Sequence, residues 1–494
     1  MAGQSAAGHP FPLVLGSAEQ FAALRSALQD LGYDAPSLER RRGVEQSPDK
    51  SQPDDTLDAL ICLLTDGKAL AEDQLRALAP AHALNALESL GVIEKTRSDP
   101  KRYYATALLY PIGHVYVASD RPGPVDGPEQ IGPDYVYPAF STNSRRFLSC
   151  LPQSSCERML DLCAGSGVAA LLGSKSATHV WACDVTERCM HFAEFNRRLN
   201  GVENMTLLRG DLFEPVRGLA FDRIVCQPPY MPASSQSLVY RDGGEDGEQL
   251  LRRIVSETPE YLSPGGRFYC FTLTSDRKSG TFEQRVRRWL GEREAEFDVI
   301  SIVIEMHKLR EPAAGGSAPR HGIASEQEEI FIKLEATAIY FSALVIERVA
   351  AARRGVTART QKAAAAGSDA IEWFVNWTTR SAAPDFAAFF LDSRPRLASH
   401  LSLEIAHSVA NGALVPSRFV LRSDYPFSVA APCPPWIAMA AGACDGKTTV
   451  RELFEGIERQ RVLPSGLTVD QFAASIREMV ARGFLELDEF KLPG

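Results

Sequence analysis

At 494 residues the chain is too long for a single hydrophobic core and implies about two or three domains. With 45% hydrophobic and 23% charged residues it is ordinary globular stock, which excludes fibrous and disordered classes. The formal charge of −9 argues against long nucleic acid as the main partner, because that partner demands a basic face.

In chain order, Ser17 to Leu31 places apolar residues at helical spacing, and Gln46 to Asp55 is a polar, proline-containing connector. Thr56 to Leu64, Ala71 to Leu78 and Ala81 to Leu90 predict three short helices. Gly91 to Glu94, Tyr103 to Ala107 and Gly113 to Ala118 predict strands. Helices followed by strands give the order of a winged helix. In a DNA regulator the last helix reads a groove, but Ala81 to Leu90 carries neither Arg nor Lys, so packing or substrate recruitment is expected instead.

The run Met159-Leu-Asp-Leu-Cys-Ala-Gly-Ser-Gly-Val168 reads as strand, glycine turn and helix. Glycine suits such a turn because the backbone bends sharply and approaches a ligand closely. The spacing Gly165-x-Gly167-x-x-Ala170 also fits a dinucleotide fingerprint, whose helix amino terminus holds a pyrophosphate. Asp161 tips the balance: a carboxylate there repels a pyrophosphate and attracts the ammonium of a methionine moiety, favouring a cationic cofactor. Asp184 closes the next apolar strand, Thr178 to Cys183, where a carboxylate takes both ribose hydroxyls in nicotinamide and S-adenosylmethionine sites alike. Asp211, after the strand Met205 to Leu208, is placed to reach an adenine amino group, with Leu212 and Phe213 offering apolar surface to the ring. The alternative for Asp211 is a turn carboxylate capping the next segment.

Gln227-Pro228-Pro229-Tyr230 follows a fourth strand, Asp222 to Cys226, and so falls at the strand ends where open α/β sheets bind ligands. Two prolines fix the backbone and remove its donors, leaving carbonyl acceptors. The Gln227 side chain and the Pro228 carbonyl can hold an NH2 group while the Tyr230 ring stacks on the π-system that carries it. Such a nitrogen has a delocalised lone pair, so orientation and transition-state hydrogen bonding carry the catalysis, without a general base of low pKa.

From Met159 to Phe268, about a quarter of the chain, the sequence resembles the class I S-adenosylmethionine-dependent methyltransferases, and among them the release-factor glutamine N5-methyltransferase type. Gly210-Asp-Leu-Phe-Glu-Pro215, Phe221-Asp-Arg-Ile-Val225, the Pro-Pro-Tyr triplet, Gly243-Gly-Glu-Asp-Gly247 and Tyr261-Leu-Ser-Pro-Gly-Gly266 run in that family's order. The resemblance implies that Asp161, Cys163, Gly165, Gly167, Asp184, Val185, Asp211, Leu212 and Gln227 bind the cofactor, and that Gln227, Pro228, Pro229 and Tyr230 are the catalytic corner at the methyl acceptor. Tyr135-Val-Tyr-Pro-Ala-Phe-Ser-Thr-Asn-Ser144 occupies the place of a loop over the acceptor in related enzymes, which makes Phe140 and Thr142 candidate substrate contacts. One departure is Gln227, where the family usually has Asn. Related enzymes with Asn-, Asp- or Ser-Pro-Pro-Tyr or -Phe methylate nucleobase amino groups, so the motif leaves protein amide and nucleobase both open.

Beyond the motifs, Arg285, Arg287, Arg288 and Arg293 cluster in one predicted helix and Arg353, Arg354, Arg359 and Lys362 in a loop. Both are expected to be solvated faces. Val299 to Ile304 and Glu329 to Leu334 predict closing antiparallel strands, with Pro312 to Gln327 a glycine- and proline-bearing loop between them. Leu403 to Val409 and Arg418 to Arg422 alternate as strands. Trp436 to Ala443, Val450 to Ile457 and Asp470 to Arg482 predict helices, ended by Gly483 and the strand Phe484 to Leu487.

The whole is expected to be α/β: a Rossmann-like class I methyltransferase sheet in residues 123–388, flanked by small α+β, winged-helix-like domains at 1–122 and 389–494. That layout resembles large bacterial methyltransferases of the release-factor type. The start of the sequence lacks a signal pattern and no run reaches ~18 apolar residues, so a cytoplasmic enzyme without a membrane partner is expected. Ten cysteines without a C-x-x-C pair read as reduced, buried thiols, and nine scattered histidines show no metal-ligand spacing, so no metal is expected. The expected activity is N-methylation, with S-adenosyl-L-methionine as cofactor, of an amide or amine in a protein, peptide or peptide-like small molecule. An RNA base-amino methyltransferase is the alternative, and the oligomeric state is left open.

Overall fold

The structure, a computed structural model, describes residues 11–42, 53–123, 131–233, 237–307, 325–349 and 353–493. The chain packs as two compact units, Met1–Leu148 with Gln153–Cys270 and Ser149–Pro152 with Phe271–Gly494.

The first unit is built on alternating strands and helices: β1 Cys156–Leu162, α1 Val168–Gly173, β2 Ala177–Asp184, α2 Glu187–Asn200, β3 Met205–Arg209, β4 Phe221–Cys226, α3 Gln249–Tyr261 and β5 Leu262–Arg277, whose residues from Phe271 onward belong to the second unit. The order is β5-β4-β1-β2-β3, and every pairing among these strands is parallel. Parallel strands covered on both faces need near-continuous apolar runs, and Ile224, Val225 and Cys226 of β4 are all buried. The chain leaves β1 for β2 on one side and reaches β4 on the other. The carboxyl ends of β1 and β4 therefore flank a topological switch point, where such sheets open a ligand crevice.

In front of this sheet, helix Ala18–Asp30 begins with a capping box between Ser17 and Gln20. Its Phe21 meets Phe195 of α2 edge-on, with ring centroids 5.1 Å apart. Phe21, Leu24 and Leu28 join Phe192, Phe195 and Leu199 in one apolar core. Polar ties reinforce it: the Asn196 amide accepts from Ala118 N at 2.7 Å and donates to Ala118 O at 3.0 Å, and Arg188 Nε donates to buried Asp120 at 2.7 Å. Helix Thr56–Leu60 runs on into a π-turn at Ile61–Thr65, and helices Glu72–Leu78 and Ala81–Ser89 follow. Strands Leu70–Ala71, Arg102–Ala105 and Ile93–Lys95 pair antiparallel in that order, and Leu108–Ile112 pairs with Val115–Ser119.

In the second unit, Phe297–His307 runs antiparallel to Ala336–Arg348 and parallel to Thr357–Gln361. Of Glu329 to Leu334, expected as a strand, Glu329 to Lys333 instead lie in helix Ser325–Lys333 and Leu334 in the turn after it. Buried Gln327 and Phe331 stand four apart, the helical period, which the short apolar run Ile330-Phe331-Ile332 is too brief to reveal. Helix Ser368–Ser381 buries Trp373, Phe374 and Trp377. Strands Leu401–Ala410 and Ala413–Ser423 form a hairpin closed by Asn411-Gly412, whose φ values of 51° and 77° are those a tight two-residue turn requires. Helices Pro435–Gly442, Val450–Arg459 and Val469–Ala481 lead to Leu485–Glu486, which pairs with Arg396–Leu397.

Most of the connector at 46–55 and of the loop at 312–327 lies outside the described residues. Among the described residues no helix is long and apolar enough to cross a membrane.

Candidate active site

The turn after β1 does two jobs. Asp161, buried, accepts from Ala170 N at 2.9 Å, which ties the strand end to α1. The backbone then passes through positive φ at Cys163 (60°), Gly165 (56°) and Gly167 (76°). The Gly165 amide donates to Asp184 Oδ2 at 3.0 Å, so the carboxylate that ends β2 also shapes the glycine turn. The other oxygen of Asp184 accepts from Thr186 N at 3.0 Å. A Cβ on Gly165 would meet nothing within 4 Å, so its open side faces space that a ligand can fill.

One cavity of about 380 Å3 gathers Asp161, Cys163, Gly165, Asp184, Val185, Asp211, Leu212 and all four residues from Gln227 to Tyr230. Four sequence-derived candidates stand apart from its wall, the first being Phe213, which is buried and stacks on Tyr261 with ring centroids 4.4 Å apart instead of facing the cavity. Gly167 is a packing glycine: a Cβ there would press on Ala193 Cβ at 3.2 Å and Met205 Cε at 3.3 Å. Phe140 turns away to pack edge-on against Tyr110, centroids 4.5 Å apart. Thr142 opens helix Thr142–Ser149 and is exposed. Their neighbours Ala139, Asn143 and Ser144 line the cavity in their place.

The sequence reading also passed over an aromatic wall made by Tyr135, Tyr137 and Tyr240. Tyr137 and Tyr240 stack with centroids 5.2 Å apart, and Val239 N donates to Pro133 O at 2.9 Å, joining the two loops that carry them. The signal available was Tyr135-Val-Tyr137, whose spacing of two puts both rings on one side of an extended segment.

Behind the Pro-Pro-Tyr corner, Met231 N donates to Arg241 O at 2.9 Å and Gly243 N to Met231 O at 2.8 Å. A Cβ on Gly243 would lie 2.8 Å from both Pro229 O and Tyr230 Cα, so only glycine lets this segment buttress the corner. Tyr230 is buried, and burial pushes its phenol titration upward. Asp211 is half exposed and accepts from Arg253 Nη2 of α3 at 2.7 Å, so one of its oxygens is already engaged.

Burial raises the Asp161 carboxyl to about 7, the Ala170 amide lowers it in part, and the Asp184 charge adds to the rise. A buried carboxylate in that state is stabilised by a cation brought beside it. The residues fit S-adenosylmethionine: a carboxylate for the ammonium, a second at the end of β2 for ribose hydroxyls, an open glycine turn, and Leu212 as apolar surface. Among the described residues no group of His, Cys, Asp and Glu is arranged to hold a metal ion.

The family pattern described as the methyltransferase small domain matches residues 138–295. This segment is a methyltransferase domain whose sequence is similar to glutamine methyltransferases. The ribosomal protein uL3 glutamine methyltransferase of Bradyrhizobium diazoefficiens is 38% identical over 128 residues, covering 23% of this chain and 40% of that protein. The release factor glutamine methyltransferase of Thermodesulfovibrio yellowstonii is 33% identical over 125 residues, covering 23% and 45%. The chain thus spans less than half the length of these relatives. The match to the crystal structure of Trm5b from Pyrococcus abyssi covers 50% of this chain and 60% of that chain at 17% identity, with a TM-score of 0.31. The methyltransferase domain therefore rests on its family pattern, these relatives and the geometry of its own cavity.

Proposed function

We propose that the chain is an S-adenosylmethionine-dependent N-methyltransferase acting on an amide or amine nitrogen of a protein, peptide or peptide-like small molecule. The observation that carries this reading is a single cavity lined at once by the Asp161-to-Gly165 turn and the Gln227-to-Tyr230 corner. The cofactor supplies an electrophilic methyl group on a sulfonium. Asp161 would hold its ammonium and Asp184 its ribose hydroxyls, while Asp211 and Leu212 would receive the adenine. Gln227 and the Pro228 carbonyl would accept from the NH2 of the acceptor, and the Tyr230 ring would lie on its π-plane. Fixed acceptors would orient the nitrogen toward the methyl group; as the N–C bond forms, the S–C bond breaks, the sulfonium leaves as a neutral thioether and the nitrogen gives up one proton to water.

A protein acceptor is favoured over RNA by the state of the two basic clusters. Arg353 pairs with Asp298 at 2.6 Å, Arg359 with Asp276 at 2.6 Å, and Arg293 with Glu296 at 2.8 Å. Arg287 donates to Glu294 O at 3.0 Å. Charges consumed in this way do not build the basic face that a polyanion needs. The flanking modules belong to the same proposal, with residues 123–388 as the catalytic domain and 1–122 and 389–494 as winged-helix-like modules. Supporting this is the order of helix 56–60, strand 70–71, helices 72–78 and 81–89 and strands 93–95 and 102–105, with helices 435–442, 450–459 and 469–481 before strand 485–486 as its counterpart. A cytoplasmic, bacterial setting is the accompanying expectation, supported by ten free thiols and the bacterial sources of the relatives above.

The test is incubation with tritiated S-adenosylmethionine and a bacterial lysate, untreated, nuclease-treated or protease-treated. Label that survives nuclease and is lost with protease is expected. Label that behaves the opposite way would replace the amide acceptor by RNA.

A further inference from the structure

Asp120 and Arg188 are both buried, and two bonds join them: Arg188 Nε donates to Asp120 Oδ2 at 2.7 Å and Arg188 Nη2 donates to Asp120 Oδ1. Bidentate pairing fixes the relative orientation of the two groups as well as their distance. A buried pair of this kind recovers little net stability once desolvation is counted, and replacing both charges by neutral groups is often tolerated. Its contribution is one fixed geometry, and that geometry extends to the cavity.

Asp120 reaches the aromatic wall directly. Its Oδ2 also accepts from Val136 N at 2.8 Å, and Asp120 N donates to Val136 O at 3.1 Å. Val136 stands between Tyr135 and Tyr137, and the Tyr135 hydroxyl adds a third tie by donating to Asp120 O at 3.4 Å. The segment lies outside helices and strands, so these ties set its place. Tyr137, 45% exposed, stacks on Tyr240, and Tyr240 precedes Arg241, whose carbonyl accepts from Met231 N directly after the Pro-Pro-Tyr corner. On the other side, Arg188 stands in the first turn of α2, four residues after Asp184. The wall thus runs from the acceptor corner to the helix behind Asp184, and the Arg188–Asp120 pair is its fastening on the helix side.

We propose that Asp120 and Arg188 are positioning residues: their ion pair fastens the Tyr135–Tyr137 segment to α2 and so holds the Tyr137 and Tyr240 rings where they receive the acceptor's chain beside the methylated nitrogen. This rests on the reading of the Gln227-to-Tyr230 corner as the acceptor site. The rings suit flat, uncharged groups, above all the peptide planes on either side of an acceptor amide. Neither Asp120 nor Arg188 lines the cavity, so both act through the wall. Cutting the tie leaves Asp184 and the glycine turn in place, so acceptor binding suffers while cofactor binding does not.

The double variant Asp120→Asn/Arg188→Met in the full-length chain tests this. The asparagine keeps an oxygen for Val136 N, the methionine fills the space of the arginine stem, and no buried charge is left alone. With 3-fluorotyrosine incorporated, the fluorine signals of Tyr137, Tyr240 and Tyr261 are assigned by their loss in Tyr137→Phe, Tyr240→Phe and Tyr261→Phe. In the double variant the Tyr137 and Tyr240 signals are expected to move toward that of free fluorotyrosine, while Tyr261, stacked on Phe213, stays. The KM for glutamine-containing peptides, read from methyl incorporation, should rise about tenfold, the scale of one net hydrogen bond, with kcat changed less than about threefold and S-adenosylmethionine affinity unchanged. Arg188→Lys, which keeps the charge and a donor, should lie between wild type and double variant in both readouts, and serves in place of the double variant if that does not fold. Unmoved Tyr137 and Tyr240 signals, or moved signals with an unchanged KM, overturn the proposal, as does an equal loss of cofactor affinity, which would make the pair merely structural. A wild type inactive on the peptides tells against the function, whereas the fluorine signals still judge the fastening.

Discussion

Because burial raises the Asp161 carboxyl to about 7, the free site is partly protonated near neutrality, and a bound ammonium must drive that proton off. S-adenosylmethionine binding should therefore release a proton below pH 7 and weaken toward tenfold per pH unit as pH falls further. Calorimetry in buffers of different ionisation enthalpy measures both quantities. Asp161→Asn should bind more weakly and show neither effect, and a wild-type affinity that is flat from pH 6 to 8 would contradict the assignment. The same group sets a stability slope. Its folded pKa lies above its unfolded value, so the native state holds the proton more tightly, and stability falls by up to about 1.4 kcal/mol per unit as pH rises from about 4 to 7. Urea denaturation of the cofactor-free protein should lose that slope in Asp161→Asn.

Two elements decide whether the acceptor corner holds its shape. At Gly243 a methyl group has no room beside Pro229 and Tyr230, so Gly243→Ala should cut methyl incorporation about tenfold or more while leaving cofactor affinity close to wild type. Equal loss of both would mean that the glycine segment supports the whole sheet rather than the corner. Helix Ala18–Asp30 acts at longer range by packing on α2, whose amino terminus follows Asp184. Truncating its buried ring in Phe21→Ala should cost about 3–5 kcal/mol in urea denaturation.

Alternating strands and helices made this sheet legible from sequence, because a parallel strand needs a continuous apolar run and its loop carries the functional residues. Asp161, Asp184 and the Pro-Pro-Tyr corner all sit at strand ends, where chain order and space agree. What stayed hidden depended on tertiary contact: Gly167 faces Ala193 and Met205, Phe140 faces Tyr110, and Asn143 and Tyr240 come from segments distant in sequence. Helix Ser325–Lys333 was obscured by an apolar run, Ile330 to Ile332, too short to show its period.

At the scale of the whole molecule, a charge of −9 and arginines engaged by internal partners predict weak attraction to polyanions. Methyl incorporation should fall less than about threefold between 50 and 200 mM salt, where an enzyme making 6–10 phosphate contacts would lose roughly a thousandfold or more in affinity. A steep salt dependence would revive an RNA acceptor.

Titrating S-adenosylmethionine by calorimetry into the wild type, Asp184→Ala and Tyr230→Ala, with methyl incorporation measured on the same preparations, tests most directly whether one cavity joins a cationic cofactor to an amide nitrogen. The account predicts binding by the wild type, at least about tenfold weaker binding by Asp184→Ala, and near-normal binding but no turnover by Tyr230→Ala. No cofactor binding by the wild type, or the same loss of affinity in both variants, would contradict it.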